Sequence, residues 1–189
     1  MIGEVLRHEG TMVYPTETFY GLGTNCYSEK AVDLVYRLKQ RDRQKPLSVI
    51  VSGIEMVEEI TTEKPELFYR LSEQFWPGPL TLVLKASETF PEYVTGPSRT
   101  VGIRWPEHKW LNALVKKTGF PITATSANLS GEKEISTPEK AMDVFKGKVE
   151  LIVDGGKTKG VLPSTVLSLI SDKPKILRQG AVSPQRLLP

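Results

Sequence analysis

With 189 residues, 39% hydrophobic and 25% charged, the chain has the composition of a soluble globular protein that can bury one substantial core. A formal charge of +3 permits phosphate or nucleic-acid partners without demanding them. The single cysteine, Cys26, excludes an intrachain disulfide and predicts a reducing, cytoplasmic setting; no apolar run resembles a signal-peptide core or a membrane span, so no membrane role is expected.

Residues 2–9 read as the last turns of a short helix ended by Gly10. Met12–Tyr14 is a short strand stopped by Pro15, and Pro15–Gly23 is a loop carrying Thr16, Glu17, Thr18 and two glycines. Gly21 and Gly23 open like a dinucleotide fingerprint, but the third glycine would fall at Cys26 and no helix starts there. The glycines instead point to close backbone approach or positive φ. Ser28 caps a helix with Ala31, Leu34, Val35 and Leu38 on its apolar face.

That helix runs into Lys39, Arg41, Arg43 and Lys45, followed by the strand Pro46–Val51. Alternate spacing would put all four cations on one side of an extended segment. A solvated linker can look the same. Between a helix and a buried strand, however, four like charges repel unless an anion compensates them, which favours a phosphate site.

Pro65 starts a second amphipathic helix (Leu67, Phe68, Leu71, Phe75), stopped by Trp76-Pro77-Gly78-Pro79 ahead of a strand at Leu80–Leu84. Thr81 fits a core threonine there. Thr100–Trp105 alternates, with Val101 and Ile103 towards the core and Thr100, Gly102 and Arg104 on the other side. An arginine beside a glycine in a strand suits carboxylate or phosphate recognition, or a surface ion pair. Helix 109–118 follows, then Pro121–Gly131, an apolar run that turns into Ser126-Ala127-Asn128. Small hydroxyl and amide side chains fill little volume in a strand and must be paired, so they suit either a polar turn or a ligand edge.

Thr137-Pro138 caps a helix with Ala141, Val144 and Phe145 inward, and Val149–Asp154 reads as a strand. Gly156-Lys157-Thr158 imitates the end of a P-loop, but Leu151 stands where the first glycine is required. Pro163-Ser164-Thr165 leads into a strand at Val166–Ile170. Lys175–Gly180 forms the last strand and turn, and the tail from Pro184 is a short helix.

The histidines are His8 and His108, and Ser126 lacks a nucleophile elbow, so a Ser-His-acid hydrolase is not indicated. His108 reads as a surface residue. One cysteine and no clustered ligands argue against a metal held by protein side chains. The remaining inventory is basic and rich in hydroxyls. It suits catalysis by positioning and charge neutralisation, as in nucleotidyl transfer with magnesium carried on substrate phosphates.

Seven segments in order resemble the YrdC-type threonylcarbamoyl-AMP synthases. They are Tyr14-Pro-Thr-Glu-Thr-Phe-Tyr-Gly-Leu-Gly23, Lys39-Gln-Arg-Asp-Arg-Gln-Lys-Pro-Leu-Ser48, Pro77-Gly-Pro-Leu-Thr81, Val101-Gly-Ile-Arg104, Thr125-Ser-Ala-Asn-Leu-Ser-Gly131, Pro163-Ser-Thr165 and Leu177-Arg-Gln-Gly180. The resemblance covers nearly the whole chain and implies a single α/β domain over residues 1–189. Its expected form is a twisted mixed sheet flanked by helices around a deep, positively charged cavity. It implies that L-threonine, bicarbonate and ATP, with magnesium on the ATP, give threonylcarbamoyl-adenylate and pyrophosphate. A downstream transfer complex would then modify tRNA beside the anticodon, and tRNA itself is a candidate partner.

Carried over by motif, Thr16, Ser48, Arg104, Ser126 and Ser164 would face the threonine. Lys39, Arg41, Arg43, Thr100, Asn128, Ser136 and Arg178 would hold ATP, with Lys39, Arg41 and Arg178 also catalytic. Thr81 and Lys45 match more weakly. Many relatives carry a longer first helix, and larger ones a linker and second domain, so a lid from such a linker is not expected here. Two other readings stay open at this level. One is an RNA-binding module, for which Phe19 and Tyr20 would be the nearby exposed aromatics; the other is a YciO-type paralogue with a different role.

Overall fold

Strand order β7-β1-β2-β6-β3-β5-β4-β8-β9 runs across one mixed sheet in the computed structural model, which describes residues 2–129 and 131–187. Ser130 of the Thr125–Gly131 motif and the last two residues of the tail lie outside the described residues. In chain order the elements are α1 (Ile2–Arg7), β1 (Met12–Tyr14), β2 (Gly21–Gly23), α2 (Glu29–Lys39), β3 (Ser48–Ile50), α3 (Ile54–Ile60), α4 (Glu66–Phe75), β4 (Leu80–Lys85), α5 (Glu92–Thr95), β5 (Thr100–Arg104), α6 (Lys109–Thr118), β6 (Ile122–Ser126), α7 (Pro138–Phe145), β7 (Leu151–Ile152), β8 (Thr165–Ser168), β9 (Lys175–Arg178) and α8 (Pro184–Leu187). The pairs β1–β7, β3–β5 and β4–β8 are parallel and the others antiparallel.

Period-two alternation sorts the strand residues onto two faces. Val49, Leu82, Leu84, Val101, Ile103 and Leu167 fall on one face, where they pack with residues of α2, α3, α4 and α7 into the main core. On the opposite face Met12, Tyr14, Ile50 and Ile122 meet Leu6 of α1 and Leu111, Leu114 and Val115 of α6. These two helices cover only part of that second face. The uncovered part carries Ser48, Thr81, Thr100, Gly102, Arg104 and Ser126, and it forms the floor of a cavity.

Local sequence explains the helix ends. Ser28 Oγ accepts from Ala31 N at 3.3 Å and Thr137 Oγ1 from Lys140 N at 3.4 Å, and Gly119 closes α6 at φ 78°. The stripe buried by α2 is Ala31, Val32, Val35, Tyr36 and Lys39, slightly rotated from the expected Ala31, Leu34, Val35, Leu38 face. The rotation matters because it places Lys39, the last residue of the helix, against the end of β6 rather than in solvent.

Several expectations are corrected. The basic run is not an extended segment: Lys39 ends α2, Gln40 is left-handed at φ 50°, and a turn follows. The four cations therefore diverge. Gly21–Gly23 is a strand rather than loop, because pairing on both sides replaces the missing β propensity. α3 and α5 have no counterpart in the sequence reading; neither has a side-chain N-cap. The strand expected over Val149–Asp154 shortens to Leu151–Ile152 on the sheet edge. His108 caps α6 through Nδ1, which accepts from Leu111 N at 3.4 Å, and is not a plain surface residue.

Gly23 has no room for a side chain: a Cβ there would lie 1.9 Å from the Thr123 carbonyl oxygen of the adjoining β6. Gly23→Ala is expected to lower folding stability by about 2–3 kcal/mol, the cost of overpacking a rigid neighbour. Urea denaturation measures it, and an unchanged midpoint would show that β2 can move aside.

Candidate functional site

The cavity, with a volume of about 850 Å³, lies on the uncovered sheet face. Its walls are the Thr16–Tyr20 loop, the end of α2 with the turn after it, the end of β6, and the β8–β9 pair. Of the expected site residues, Thr16, Lys39, Arg41, Ser48, Thr100, Arg104, Ser126, Asn128, Ser164 and Arg178 line it together, as do Thr81 and Lys45. Arg43 and Ser136 do not. Arg43 pairs with Asp33 on the outer side of α2, and the Ser136 carbonyl accepts from Thr158 N at 2.8 Å. Lys39, Arg41, Lys45, Arg104 and Arg178 are the cations of the lining, against the carboxylates Asp42 and Glu134.

At one end of the cavity α2 is tied to β6. Lys39, 3% exposed, donates from Nζ to Ser126 O at 2.6 Å, to Asn128 Oδ1 at 3.1 Å and to Asn128 O. Ser126 Oγ donates to Asn128 Oδ1, and Asn128 Nδ2 donates to Glu132 O at 2.7 Å. Burial penalises the ammonium, with the charge of Arg41 adding to it, and together they bring the Lys39 pKa down to about 8. Arg41 itself donates from Nη2 to Pro46 O at 2.8 Å, and burial lowers its pKa as well.

The other end is built from hydroxyls and two arginines. Thr16 Oγ1 donates to Phe19 O at 2.7 Å and lies 2.9 Å from Thr18 Oγ1, which folds the loop back over the sheet. Arg104 Nη2 donates to Thr18 Oγ1 at 3.1 Å and sits 2.7 Å from Glu17 Oε1. Across the floor Thr81 Oγ1 is 3.0 Å from Ser164 Oγ. Arg178 donates from Nη2 to the same hydroxyl at 3.0 Å and to Ser164 O at 2.9 Å. Burial first, and the charge of Arg104 next, lower the pKa of Arg178. Between Ser48 and Thr81 the floor is bare at Gly102, where a Cβ would stand 2.6 Å from Ser48 Oγ.

The sequence reading left out of the site Thr18, Tyr14, Gly102 and Glu134, all of which line the cavity. Gly102 carried a signal, since it sits two residues from Thr100 and Arg104 on the same side of a strand; Thr18 lies in a bent loop where that spacing has no meaning. Tyr14 is a fully buried strand residue and Glu134 lies in a loop without periodicity. Tyr20 also departs from expectation: its ring is fully buried and its hydroxyl donates to Gly156 O at 2.8 Å, so it offers no stacking face to an RNA base.

Two end groups, a cationic cage and a hydroxyl–arginine floor, fit an anionic ligand joined to a small polar one. Known proteins similar to this chain in sequence and fold bear on that pairing. Threonylcarbamoyl-AMP synthase of Pyrococcus abyssi is 41% identical over 175 residues, covering 92% of this chain and 52% of the relative. The crystal structure of P. abyssi Sua5 complexed with L-threonine superposes with a TM-score of 0.95 at 37% identity, over 98% of this chain and 55% of the other. That of Escherichia coli YciO superposes with a TM-score of 0.91 at 28% identity, over 99% and 91%. The chain spans about half the length of the first curated relatives it matches. The Sua5/YciO/YrdC family model, described as telomere recombination, matches residues 4–180, and the chain belongs to that family.

Proposed function

We propose that this chain is a threonylcarbamoyl-AMP synthase. In this reading the amino group of L-threonine combines with bicarbonate, losing water, to give the carbamate. A carbamate oxygen then attacks the α-phosphorus of ATP and pyrophosphate leaves. The observation that carries the reading is the joining, in one cavity, of the Lys39–Arg41 cage to the Thr16–Thr18–Arg104 hydroxyl–arginine cluster. The names of the relatives and the threonine held by P. abyssi Sua5 support it.

Lys39, Arg41 and Lys45 would neutralise the triphosphate, Asn128 and Thr100 would contact the nucleotide, and magnesium would travel on the phosphates. Thr16, Ser48, Arg104, Ser126 and Ser164 would take the amino acid and its carbamate. Arg178 would stand where carbamate meets α-phosphate. Fixed cations there stabilise charge that builds up in the transition state without reorganising, which contributes to rate as well as affinity. The product would pass to a transfer complex acting on tRNA in the cytoplasm. No described helix is long and apolar enough to cross a membrane.

The deciding assay is pyrophosphate release from ATP with threonine and bicarbonate present and tRNA absent. Release that needs both co-substrates is expected; tight tRNA binding with no release would make the cavity a nucleic-acid groove instead. Arg178→Ala should slow the reaction by roughly tenfold or more, since 1.36 kcal/mol suffices for that. Arg178→Lys should recover only part, having lost the planar fork that spans Ser164 O and Oγ. The amino-acid end is expected to reject 2-aminobutyrate strongly, because its hydroxyls would be left without the substrate's own. Equal turnover of threonine and 2-aminobutyrate would remove that assignment.

Lys39 makes the reaction pH-dependent with a definite sign. Its charge is lost as pH rises through about 8, so ATP affinity should fall there, and Lys39→Met should bind more weakly with a flat profile over the same interval. Folding moves the other way. From about 8 up to the ordinary lysine value the unfolded chain keeps a proton that the folded one releases, so this residue's contribution to stability rises with pH. Calorimetric titrations with ATP on either side of pH 8 test the first effect; parallel profiles for wild type and variant would defeat it.

A further inference from the structure

Glu17 does not line the cavity, yet it is one of the more unusual groups beside it. Its side chain is 18% exposed and that of Arg104 11%, with Oε1 2.7 Å from Arg104 Nη2. Neither carboxylate oxygen accepts a well-aligned hydrogen bond among the described residues. A buried carboxylate in that condition costs stability unless its partner compensates it. Arg104 is that partner. The guanidinium has three partners: Nε donates to Gly78 O at 3.4 Å, and Nη2 donates to Thr18 Oγ1 with Glu17 Oε1 against the same nitrogen.

Strand register places this pair away from the triphosphate cage. Ser48 pairs with both Gly102 and Ala124, so the Thr100 end of β5 is level with Ser126, which holds Lys39, and Arg104 stands at the other end, about 13 Å away at the usual rise per residue. Arg178 shares the Arg104 end: it pairs with Val166, which pairs with Thr81, the neighbour of the Leu82 that faces Ile103, and the charge of Arg104 is felt at Arg178. Two uncompensated arginines side by side would be a good site for a polyphosphate. With Glu17 behind one of them, the end keeps a single net positive charge while both forks remain.

We propose that Glu17 is a positioning residue. It aims the Arg104 guanidinium into the cavity and cancels its charge, so that this end accepts the carboxylate of an amino acid and excludes the polyphosphate. The inference rests on the synthase reading for the identity of the amino acid, but not for the exclusion of polyphosphate.

The test uses Glu17→Gln, Glu17→Asp and the double variant Glu17→Gln/Arg104→Gln, with calorimetric titrations of L-threonine and of free pyrophosphate. Glu17→Gln should weaken threonine binding by roughly tenfold or more, as when a buried charge pair is broken. It should also bind pyrophosphate more tightly than the wild type, and the gain should vanish in the double variant. Damage to the fold would weaken both ligands, so the gain in pyrophosphate affinity separates positioning from scaffolding. Glu17→Asp keeps the charge but falls short of Arg104: pyrophosphate affinity should stay at the wild-type level while threonine binding weakens. If Glu17→Gln does not fold, the Glu17→Asp pattern decides alone. Unchanged affinity for both ligands in folded Glu17→Gln, or full threonine affinity in Glu17→Asp, would overturn the proposal. If the wild type binds no threonine, the synthase reading falls, and the pyrophosphate gain by itself supports or overturns the role of Glu17.

Discussion

A buried ammonium fastens the end of α2 to the end of β6. Lys39 reaches its place because the buried stripe of α2 continues one turn past Tyr36, so a charged residue occupies a position that packing would give to an apolar one. Three oxygens of Ser126 and Asn128 receive it. This arrangement holds the Ser-Ala-Asn edge in a fixed relation to the turn that carries Arg41 and Lys45, and those two walls define one end of the cavity. A hydrocarbon in place of Lys39 would take a charged donor from three oxygens, of which Ser126 O keeps the Asn128 amide and Asn128 Oδ1 keeps the Ser126 hydroxyl, a cost larger than the modest net gain of one ordinary hydrogen bond.

The opposite end follows a different logic. There the loop after β1 is folded by its own hydroxyls, with Thr16 bonding to Phe19 O, and the arginine of β5 is steadied by that loop. The two ends share a floor with no large side chain at its centre, Gly102, which keeps the space between Ser48 and Thr81 open. The cavity thus depends on a helix end, a loop and a bare strand residue that come from separate parts of the chain. Only the sheet register brings them level.

Much of this is legible in the amino-acid sequence. Alternation in Thr100–Arg104 sorted core from cavity side correctly, because a strand with one packed face leaves no choice of period. The caps at Ser28 and Thr137 are local signals, and both helices start where those residues stand. What failed were arguments that assumed a backbone state. Alternating Lys39, Arg41, Arg43 and Lys45 share a side only if extended; a left-handed Gln40 sends Arg43 outward to Asp33. β2 was invisible because glycine has no strand propensity, and its strand state comes from neighbours on both sides. The pairing of Glu17 with Arg104 joins residues 87 positions apart and had no local trace.

The division of the second sheet face between α1, α6 and the cavity separates two kinds of change. Side chains that set the volume and charge of the cavity point to one side of the sheet, and the main core packs on the other. A substitution at Ser48 or Thr100 therefore need not disturb Val49 or Val101, its neighbour in the chain. Fold and specificity can drift almost independently within the same strand, and the backbone between them acts as the insulating layer.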